Sequence, residues 1–229
     1  MTSTTIRPML WSGHDWVDRL HPHDALLSPA AYRALKRIFD LAVVVAAAPL
    51  WLPLLALCAL WIKLDDRSAP VLFTQQRTGE NGNPITIRKF RTMVPNAEEM
   101  KWQLRHLNEL EWPLFKITDD PRVTRPGRFL RATSLDELPQ LLDVLAGRMS
   151  LVGPRPHDFA PEEFELWHTE RLDAKPGVTG LWQLYGRGIA GYSDSSRLDI
   201  AYVQRRCFWM DLQILVRTVP AVLSRRGAA

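Results

Sequence analysis

The chain is organised around SLDELPQLL at residues 134–142 and GRMSLVGPRP at residues 147–156. Two adjacent carboxylates, Asp136 and Glu137, precede a run of apolar residues at helical spacing. Arg155 follows between two prolines. Many cations surround this acidic pair in the sequence: Lys89, Arg91, Arg122, Arg125, Arg128, Arg131, Arg148 and Arg155. Carboxylates in a basic environment are typical of a site that handles a polyanion through a metal ion or a covalent step.

The acidic pair also has a purely structural interpretation. With Ser134 as a helix N-cap, Glu137 falls three residues later and would complete a capping box. Pro139 belongs in a first turn, so the regular helix is expected to begin near Leu138. In either arrangement Asp136 lies at a positive helix end, which should keep it ionised and attract a phosphate. These residues alone leave both capping and catalysis open.

Length, composition and charge limit the class of protein. The 229 residues fit one domain with an extension or two small domains, and an apolar fraction of 46% is ordinary for a globular protein. Residues 205–226 contain five arginines and one aspartate, which favours an anionic lipid surface or a solvated helix end. No nucleic-acid-binding motif accompanies this charge, so we expect no nucleic acid partner. Cys58 and Cys207 form no disulfide framework and are expected to be reduced in a cytosol-facing protein.

Residues 41–62 form an apolar stretch without charged side chains. A straight helix over this stretch would be about 33 Å long, enough to cross a bilayer. Pro49 and Pro53 each remove a backbone donor and favour a sharp break. The stretch therefore predicts a kinked span or a re-entrant hairpin, with the buried helix of a soluble protein as a third interpretation. Cations on both flanks favour the cytoplasmic side for both ends: Lys36, Arg37 and Lys63.

The remaining segments predict short elements. Residues 1–35 show no secretory signal pattern, and their histidines lack the spacing of a known metal site, so a polar extension is expected. Residues 71–73 and 85–87 read as short strands around a turn. Residues 97–111 are rich in helix formers and predict a surface helix. Residues 161–172 predict a further helix with proline and acids in its first turn.

Basic residues outside the acidic pair have two interpretations each. Lys89 and Arg91 alternate around Phe90, which suits either an anionic ligand or a solvated edge. The planar guanidinium of Arg155 suits a phosphate or nucleotide, and a structural salt bridge is the alternative. The residues alone do not decide between the two interpretations, either for Lys89 and Arg91 or for Arg155.

Several motifs in a fixed order resemble the bacterial sugar transferase family, whose members are monotopic phosphoglycosyl transferases. These enzymes start polysaccharide or glycan assembly on polyprenol phosphate. The resemblance extends from about Lys36 to the C-terminus. Its motifs are KFRTM at 89–93, SLDELPQL at 134–141, MSLVGPRP at 149–156 and KPGVTGLWQLYGR at 175–187.

The resemblance implies a two-step reaction at Asp136. This residue would attack the sugar-bearing phosphate of a nucleoside-diphosphate sugar, release the nucleoside monophosphate and hold a covalent phosphosugar. Polyprenyl phosphate would then take the phosphosugar, giving polyprenyl diphosphate sugar. Uridine nucleotides and undecaprenyl phosphate are the implied substrates. Mg²⁺ is the implied cofactor, with Glu137 and Asp136 as its candidate ligands and Glu137 also positioning the incoming phosphate.

The resemblance also implies further site residues and shows two departures from the family pattern. The implied substrate-binding residues are Arg155, Lys89, Arg91, Arg131 and Arg187. Arg37 belongs to the cationic flank of the membrane segment, and Pro53 matches the helix-break position of the family. Asp143 stands where asparagine is usual, and Gly188 stands where asparagine is frequent.

The expected fold is an α-rich α+β protein with a re-entrant or kinked N-terminal membrane helix. Residues 1–35 form a partly ordered extension and residues 36–64 the membrane-inserted segment. Residues 65–229 form a small cytosolic phosphoglycosyl transferase domain with short strands and surface-lying amphipathic helices. We expect a stand-alone catalytic protein at the bacterial inner (cytoplasmic) membrane, with its catalytic domain facing the cytoplasm. Its expected partners are a nucleoside-diphosphate sugar, polyprenyl phosphate and membrane lipid, with monomer and homo-oligomer both left open.

Two competing functions remain to be tested. A membrane-attached interaction module, in which the acidic pair only caps a helix, would tolerate replacement of Asp136 and consume no nucleotide sugar. An enzyme of the aspartyl-phosphate phosphatase type would require its own nucleophile motif at a strand end, and the sequence contains none.

Overall fold

The computed structural model describes residues 27–109, 115–157, 165–186 and 192–223. The α-helices are α1 (Pro29–Ala46), α2 (Ala48–Asp65), α3 (Ala97–Gln103), α4 (Arg125–Ala132), α5 (Gln140–Leu145), α6 (Tyr192–Arg205) and α7 (Phe208–Leu223). The strands are β1 (Leu72–Thr78), β2 (Pro84–Phe90), β3 (Ser150–Val152) and β4 (Gly177–Thr179). Short 3₁₀ segments span Glu80–Gly82, Arg105–Leu107, Leu135–Glu137 and Leu166–Asp173, and a π-helical turn spans Trp182–Gly186. The expected helix-rich α+β class is confirmed.

The apolar stretch forms two helices with a break at Ala47. The indole Nε1 of Trp51 donates to the carbonyl oxygen of Val44 at 2.9 Å, which links the two sides of the break. Pro49 lies in the first turn of α2. A backbone N–H at this position would have no intrahelical acceptor, so proline costs the helix no hydrogen bond there. Pro53 lies inside α2, which continues past it. The boundary between the two helices thus lies at Ala47, before both prolines, and the assignment of Pro53 to the helix-break position of the family stays a prediction.

Helix α2 has one narrow buried face and a wide exposed apolar surface. Cys58 and Ile62 pack with Phe90 and Leu130 in a small core cluster. The exposed large apolar side chains of α2 are Leu50, Leu52, Leu54, Leu57, Leu60, Trp61 and Leu64. Among the helices in the described ranges, α2 is the one long and apolar enough to cross a membrane. An exposed apolar surface of this extent is typical of a contact with lipid or with another protein.

Helix α1 begins at Pro29, ahead of the expected boundary at residue 36, and buried polar contacts hold it against α7. The Asp211 carboxylate accepts hydrogen bonds from Tyr32 Oη at 2.8 Å and Tyr202 Oη at 2.7 Å. Lys36 Nζ lies 3.0 Å from the same carboxylate. Asp211 and Tyr202 are each 1% exposed, so this network lies inside the protein. The apolar helices are thus part of the same folded unit as the segments that follow them.

Arg37, which the sequence predicts as a cation beside the membrane segment, contacts the end of α5. Its guanidinium donates to the carbonyl oxygens of Val144 at 2.6 Å and Leu145 at 2.9 Å. These carbonyls belong to the last turn of α5, where backbone acceptors have no intrahelical donor. Gly147 has a φ of 79° and follows the end of α5, a position and conformation in which glycine is favoured. Arg37 therefore joins α1 to the C-terminal end of α5.

Strands β1 and β2 pair antiparallel, with Leu72 opposite Phe90 and Thr78 opposite Pro84. The two predicted strands are therefore confirmed, and each is longer than expected. Asn81 and Gly82 adopt positive φ values in the connecting turn. At the end of this hairpin, β2 carries the KFRTM motif to the acidic pair.

A second, parallel pair joins two motifs that lie apart in the sequence. Ser150 of β3 pairs with Gly177 of β4, and Val152 with Thr179. Their backbones approach closely, because a Cβ atom on Gly153 would lie 2.2 Å from the carbonyl oxygen of Lys175. The Pro-Arg-Pro loop thus leaves β3 directly beside the start of β4.

The central core joins α1, α2, β2, α5, β3, α6 and α7. Its buried members from the apolar helices are Val44 and Trp51, which pack with Ile87 of β2 and Val144 of α5. The cluster continues through β3, the π-helical turn, α6 and α7 with Met149, Leu151, Val152, Leu181, Leu198, Ala201, Tyr202, Val203, Met210 and Ile214. This shared core fixes β2, α5 and β3 relative to one another, and these three elements flank the acidic pair.

Two predicted helices differ from those observed. The predicted helix over 97–111 is shorter, since α3 ends at Gln103 and a 3₁₀ turn follows. The predicted helix over 161–172 appears as a 3₁₀ segment from Leu166 to Asp173, and residues 158–164 lie outside the described ranges.

Candidate active site

The acidic pair lies in a single 3₁₀ turn, Leu135–Glu137. Ser134 precedes it in the left-handed conformation, with φ 57° and ψ 16°, and its side chain makes no capping hydrogen bond. An N-cap needs extended backbone angles, so the predicted capping box is wrong. Helix α5 begins later, at Gln140, and Asp136 does not lie at the N-terminus of an α-helix.

Glu137 is held by two cations. Its Oε1 atom accepts from Lys89 Nζ at 3.1 Å and from Arg155 Nη2 at 3.0 Å. Burial favours a raised pKa for Glu137, but the charges of Arg155 and Lys89 outweigh it and lower this pKa to about 2. Glu137 is therefore ionised at neutral pH and links β2 to the Pro-Arg-Pro loop.

Asp136 is half-buried and makes no side-chain hydrogen bond within the described ranges. Burial and the neighbouring charge of Glu137 raise the pKa of Asp136, while Lys89, Arg131 and Arg155 act in the opposite direction. The expectation that a helix end favours ionisation of Asp136 is not met, because no α-helix begins there. An unbonded carboxylate among cations is a suitable nucleophile for an anionic electrophile.

Arg131 approaches this turn from α4. Its Nε atom donates to Thr92 Oγ1 at 2.9 Å, and its charge acts on Asp136. The structure thus brings five predicted site residues to one place: Lys89, Arg131, Asp136, Glu137 and Arg155.

Arg91, another predicted substrate-binding residue, makes its contacts elsewhere. Arg91 is 8% exposed and pairs with Asp66 Oδ2 at 2.8 Å, at the C-terminal end of α2. Its described contacts therefore belong to the junction between α2 and the strands. Arg187 lies outside the described ranges, as does the neighbouring departure Gly188.

A buried ion pair that sequence reasoning missed supports the Pro-Arg-Pro loop. Arg171 Nη2 donates to the carbonyl oxygen of Arg155 at 2.6 Å and also pairs with the Asp199 carboxylate. Arg171 is 2% exposed and Asp199 is fully buried. Burial raises the pKa of Asp199 to about 6, although Arg171 acts to lower it. No local motif identifies these residues, because they meet only through packing of α6 on the 3₁₀ segment that follows residue 165.

Asp143, one of the two departures from the family pattern, is a second buried anchor. Its carboxylate accepts from the backbone N–H of Arg88 at 2.9 Å and from Arg148 Nη2 at 2.6 Å. The Arg88 guanidinium also contacts it. Asp143 is fully buried, so these donors satisfy a carboxylate that would otherwise be costly to desolvate. The contact fixes β2 beside α5 and thereby fixes the position of Lys89.

The donor set at the acidic pair suits a metal ion shared with a substrate. Asp136 and the Oε2 atom of Glu137 make no hydrogen bond in the described part of the chain. Within the same ranges, no group of three or more histidine, cysteine, aspartate or glutamate side chains is placed to hold a metal. Mg²⁺ commonly binds one or two carboxylates together with substrate phosphates, so the pair fits such an ion. The histidines of residues 1–26 lie outside the described ranges.

Comparisons with known proteins identify the family. A family model described as bacterial sugar transferase matches residues 31–225. The undecaprenyl-phosphate galactose phosphotransferase of Salmonella typhimurium is 41% identical over 213 residues, which is 88% of this chain and 43% of that protein. The exopolysaccharide production protein ExoY of Rhizobium meliloti is 39% identical over 84% of this chain and 87% of its own length.

A third relative is the UDP-glucose:undecaprenyl-phosphate glucose-1-phosphate transferase of Caulobacter vibrioides. It is 42% identical over 84% of this chain and 71% of its own length. The chain spans less than half the length of several relatives, including the Salmonella protein at 43%. The match nevertheless covers every element around the acidic pair, and the chain belongs to the bacterial sugar transferase family.

Proposed function

We propose that the protein transfers a sugar-1-phosphate from a UDP-sugar to undecaprenyl phosphate and so starts the assembly of a glycan. The observation that carries the proposal is the unbonded carboxylate of Asp136 beside Glu137, whose own carboxylate is held by Lys89 and Arg155. The names of the Salmonella and Caulobacter relatives include undecaprenyl phosphate, and that of the Caulobacter relative also includes UDP-glucose.

In the first step, an Asp136 oxygen attacks the sugar-bearing phosphorus of the donor. A new P–O bond forms, the P–O bond to the nucleoside monophosphate breaks, and that group leaves with the electron pair. Arg131 and Lys89 offset the negative charge of the diphosphate as it approaches a carboxylate. A bound Mg²⁺, held by Asp136, Glu137 and the donor phosphates, would supply further charge neutralisation.

In the second step, a phosphate oxygen of undecaprenyl phosphate attacks the phosphorus of the phosphosugar. The P–O bond to Asp136 breaks and the carboxylate is restored. An acyl phosphate is reactive enough for this transfer, which is the advantage of a carboxylate nucleophile over a hydroxyl. The two substrates therefore use one site in turn.

The lipid substrate requires a membrane next to the site, and we assign this contact to the exposed apolar surface. The exposed apolar side chains that we assign to it are the α2 leucines named above, Ile38 and Val45 on α1, and Trp209, Val216 and Val219 on α7. Phe129 on α4 also contributes, since its ring lies 5.3 Å from that of Trp61. We propose that attachment is to the inner membrane, with the acidic pair on its cytoplasmic side.

The test uses the full chain in lipid nanodiscs with Mg²⁺, undecaprenyl phosphate and a panel of UDP-sugars. We expect at least one donor to release UMP in repeated turnovers that depend on undecaprenyl phosphate. Release of inorganic phosphate instead would indicate a phosphatase. No product from any donor, in a sample that remains folded, would reject the proposal in favour of an interaction module.

A further inference from the structure

Thr92 is the buried residue of the KFRTM motif whose hydroxyl contacts the active-site arginine. Thr92 is 7% exposed, and its Oγ1 atom accepts a hydrogen bond from Arg131 Nε at 2.9 Å. Within the described ranges, the two terminal nitrogens of Arg131 make no hydrogen bond. The hydroxyl thus binds the inner nitrogen of the guanidinium and leaves the outer nitrogens available to a ligand.

The backbone of Thr92 has a separate role, which is to support the start of α4. Its carbonyl oxygen accepts from Thr124 N at 3.0 Å, and Thr124 in turn caps α4 through Gly127 N at 3.1 Å. A Cβ atom on Gly127 would lie 2.1 Å from the Thr92 carbonyl oxygen, so only glycine permits this approach. Arg131 lies four residues after Gly127 and therefore on the same face of the helix.

The two contacts together fix both the position and the rotation of the guanidinium. A guanidinium is planar, so a hydrogen bond at Nε sets the plane in which its terminal nitrogens point. Arg131 is close enough to the acidic turn for its charge to act on Asp136. Without the Thr92 hydroxyl, the arginine would keep its charge but lose the orientation that a transition state requires.

We propose that Thr92 is a positioning residue, whose hydroxyl orients Arg131 so that its terminal nitrogens bind the donor phosphate attacked by Asp136. This inference rests on the proposed function. The support of α4 comes from the Thr92 backbone, which a side-chain substitution retains, so orientation of Arg131 can be tested separately from folding.

The first test compares Thr92→Val with Thr92→Ser in the UMP-release assay. Valine has nearly the shape of threonine without its hydroxyl, and we expect it to lower kcat about 10-fold or more while KM changes little. Thr92→Ser keeps the hydroxyl and is expected to recover most of the lost kcat. Thr74→Val, an exposed threonine on β1, is the matched control for loss of a hydroxyl and should behave as wild type.

The second test is a double-mutant cycle with Arg131→Met. If Thr92 acts through Arg131, Thr92→Val lowers kcat strongly in wild type and hardly at all in the Arg131→Met background. Should Thr92→Val not fold, Thr92→Ala replaces it in the same cycle.

Three results would overturn the proposal. These are wild-type kcat in Thr92→Val, an equal loss in both backgrounds, or failure of Thr92→Ser to recover activity. Absence of turnover in the wild type would instead count against the proposed function itself.

Discussion

Lys89 and Glu137 are 48 residues apart in the sequence, yet Lys89 Nζ lies 3.1 Å from Glu137 Oε1. The same oxygen accepts from Arg155, so one carboxylate joins the KFRTM strand, the acidic turn and the Pro-Arg-Pro loop. Charge-assisted hydrogen bonds to a partly buried carboxylate are among the stronger polar contacts in proteins. Glu137 thereby fixes two cations next to the free carboxylate of Asp136.

Replacing Glu137 tests this arrangement. Glu137→Gln removes the charge that orients Lys89 and Arg155 and weakens the proposed metal site, so we expect UMP release to fall at least about 100-fold. Glu99→Gln, an exposed glutamate on α3, is the matched control. Activity of Glu137→Gln within a few-fold of wild type would show that Glu137 does not organise the site.

Arg37 is expected to contribute to stability through α5. Arg37→Met removes two hydrogen bonds to the carbonyls of Val144 and Leu145 and should lower the free energy of unfolding by about 1–3 kcal/mol. The comparison is Arg33→Met, an exposed arginine on the same helix. Both are measured by thermal unfolding in detergent. Equal unfolding midpoints for the two variants would show that the Arg37 contacts contribute nothing.

Asp199 is expected to make stability depend on pH. Its pKa is raised to about 6, whereas an unfolded aspartate titrates near about 4. Between these values the unfolded chain loses its proton first, so the contribution of Asp199 is fully present below about pH 4 and is lost as the pH rises to about 6. The Asp199→Asn variant lacks this dependence.

The measurement is the unfolding midpoint of wild type and Asp199→Asn at pH 4.5 and pH 7. The midpoints are converted to free energies of unfolding. The difference in this free energy between wild type and variant should decrease at the higher pH, by up to about 3 kcal/mol. Asp173→Asn, an exposed aspartate at the end of the 3₁₀ segment, should show no such change. A wild-type advantage that grows with pH would mean that Arg171 dominates and holds Asp199 ionised.

The exposed face of α2 is expected to bind lipid. Leu57 is 64% exposed, and Leu57→Glu puts a charge on that face, so co-sedimentation with vesicles containing anionic lipid should fall several-fold. Gln103→Glu adds the same charge at an exposed position on α3 and should not reduce binding. If the two variants bind vesicles equally, the exposed apolar face of α2 does not contact lipid.

The central features of the site were predictable from the sequence because they lie inside short motifs. The motifs contain Asp136, Glu137, Lys89 and Arg155, and Arg131 lies three residues before SLDELPQL. The 3₁₀ turn that holds the acidic pair was not predicted, since the same residues were interpreted as the start of a helix. The two strands follow from apolar runs around glycine and proline. Local chemistry determines each of these features.

Features that depend on distant partners were not predictable. Glu137 satisfies the spacing of a capping box, but Lys89 and Arg155 provide stronger partners for its carboxylate. Arg91 and Lys89 look equivalent in KFRTM, yet only the fold pairs Arg91 with Asp66. Pro49 and Pro53 both lack a donor, and the sequence does not show that the two helices separate at Ala47, where the Trp51 indole bonds the Val44 carbonyl across the boundary.

The most direct test of the account is the covalent intermediate on Asp136. Wild type, Asp136→Asn and the control Asp119→Asn are incubated with a UDP-sugar that supports turnover, without undecaprenyl phosphate, and analysed by intact mass and peptide mapping. The account predicts a phosphosugar adduct on the peptide containing Asp136 in wild type and Asp119→Asn. This adduct should be absent in Asp136→Asn and should be discharged on addition of undecaprenyl phosphate. An Asp136→Asn protein that forms the adduct, or that releases UMP at the wild-type rate, would contradict the assignment of Asp136 as the nucleophile.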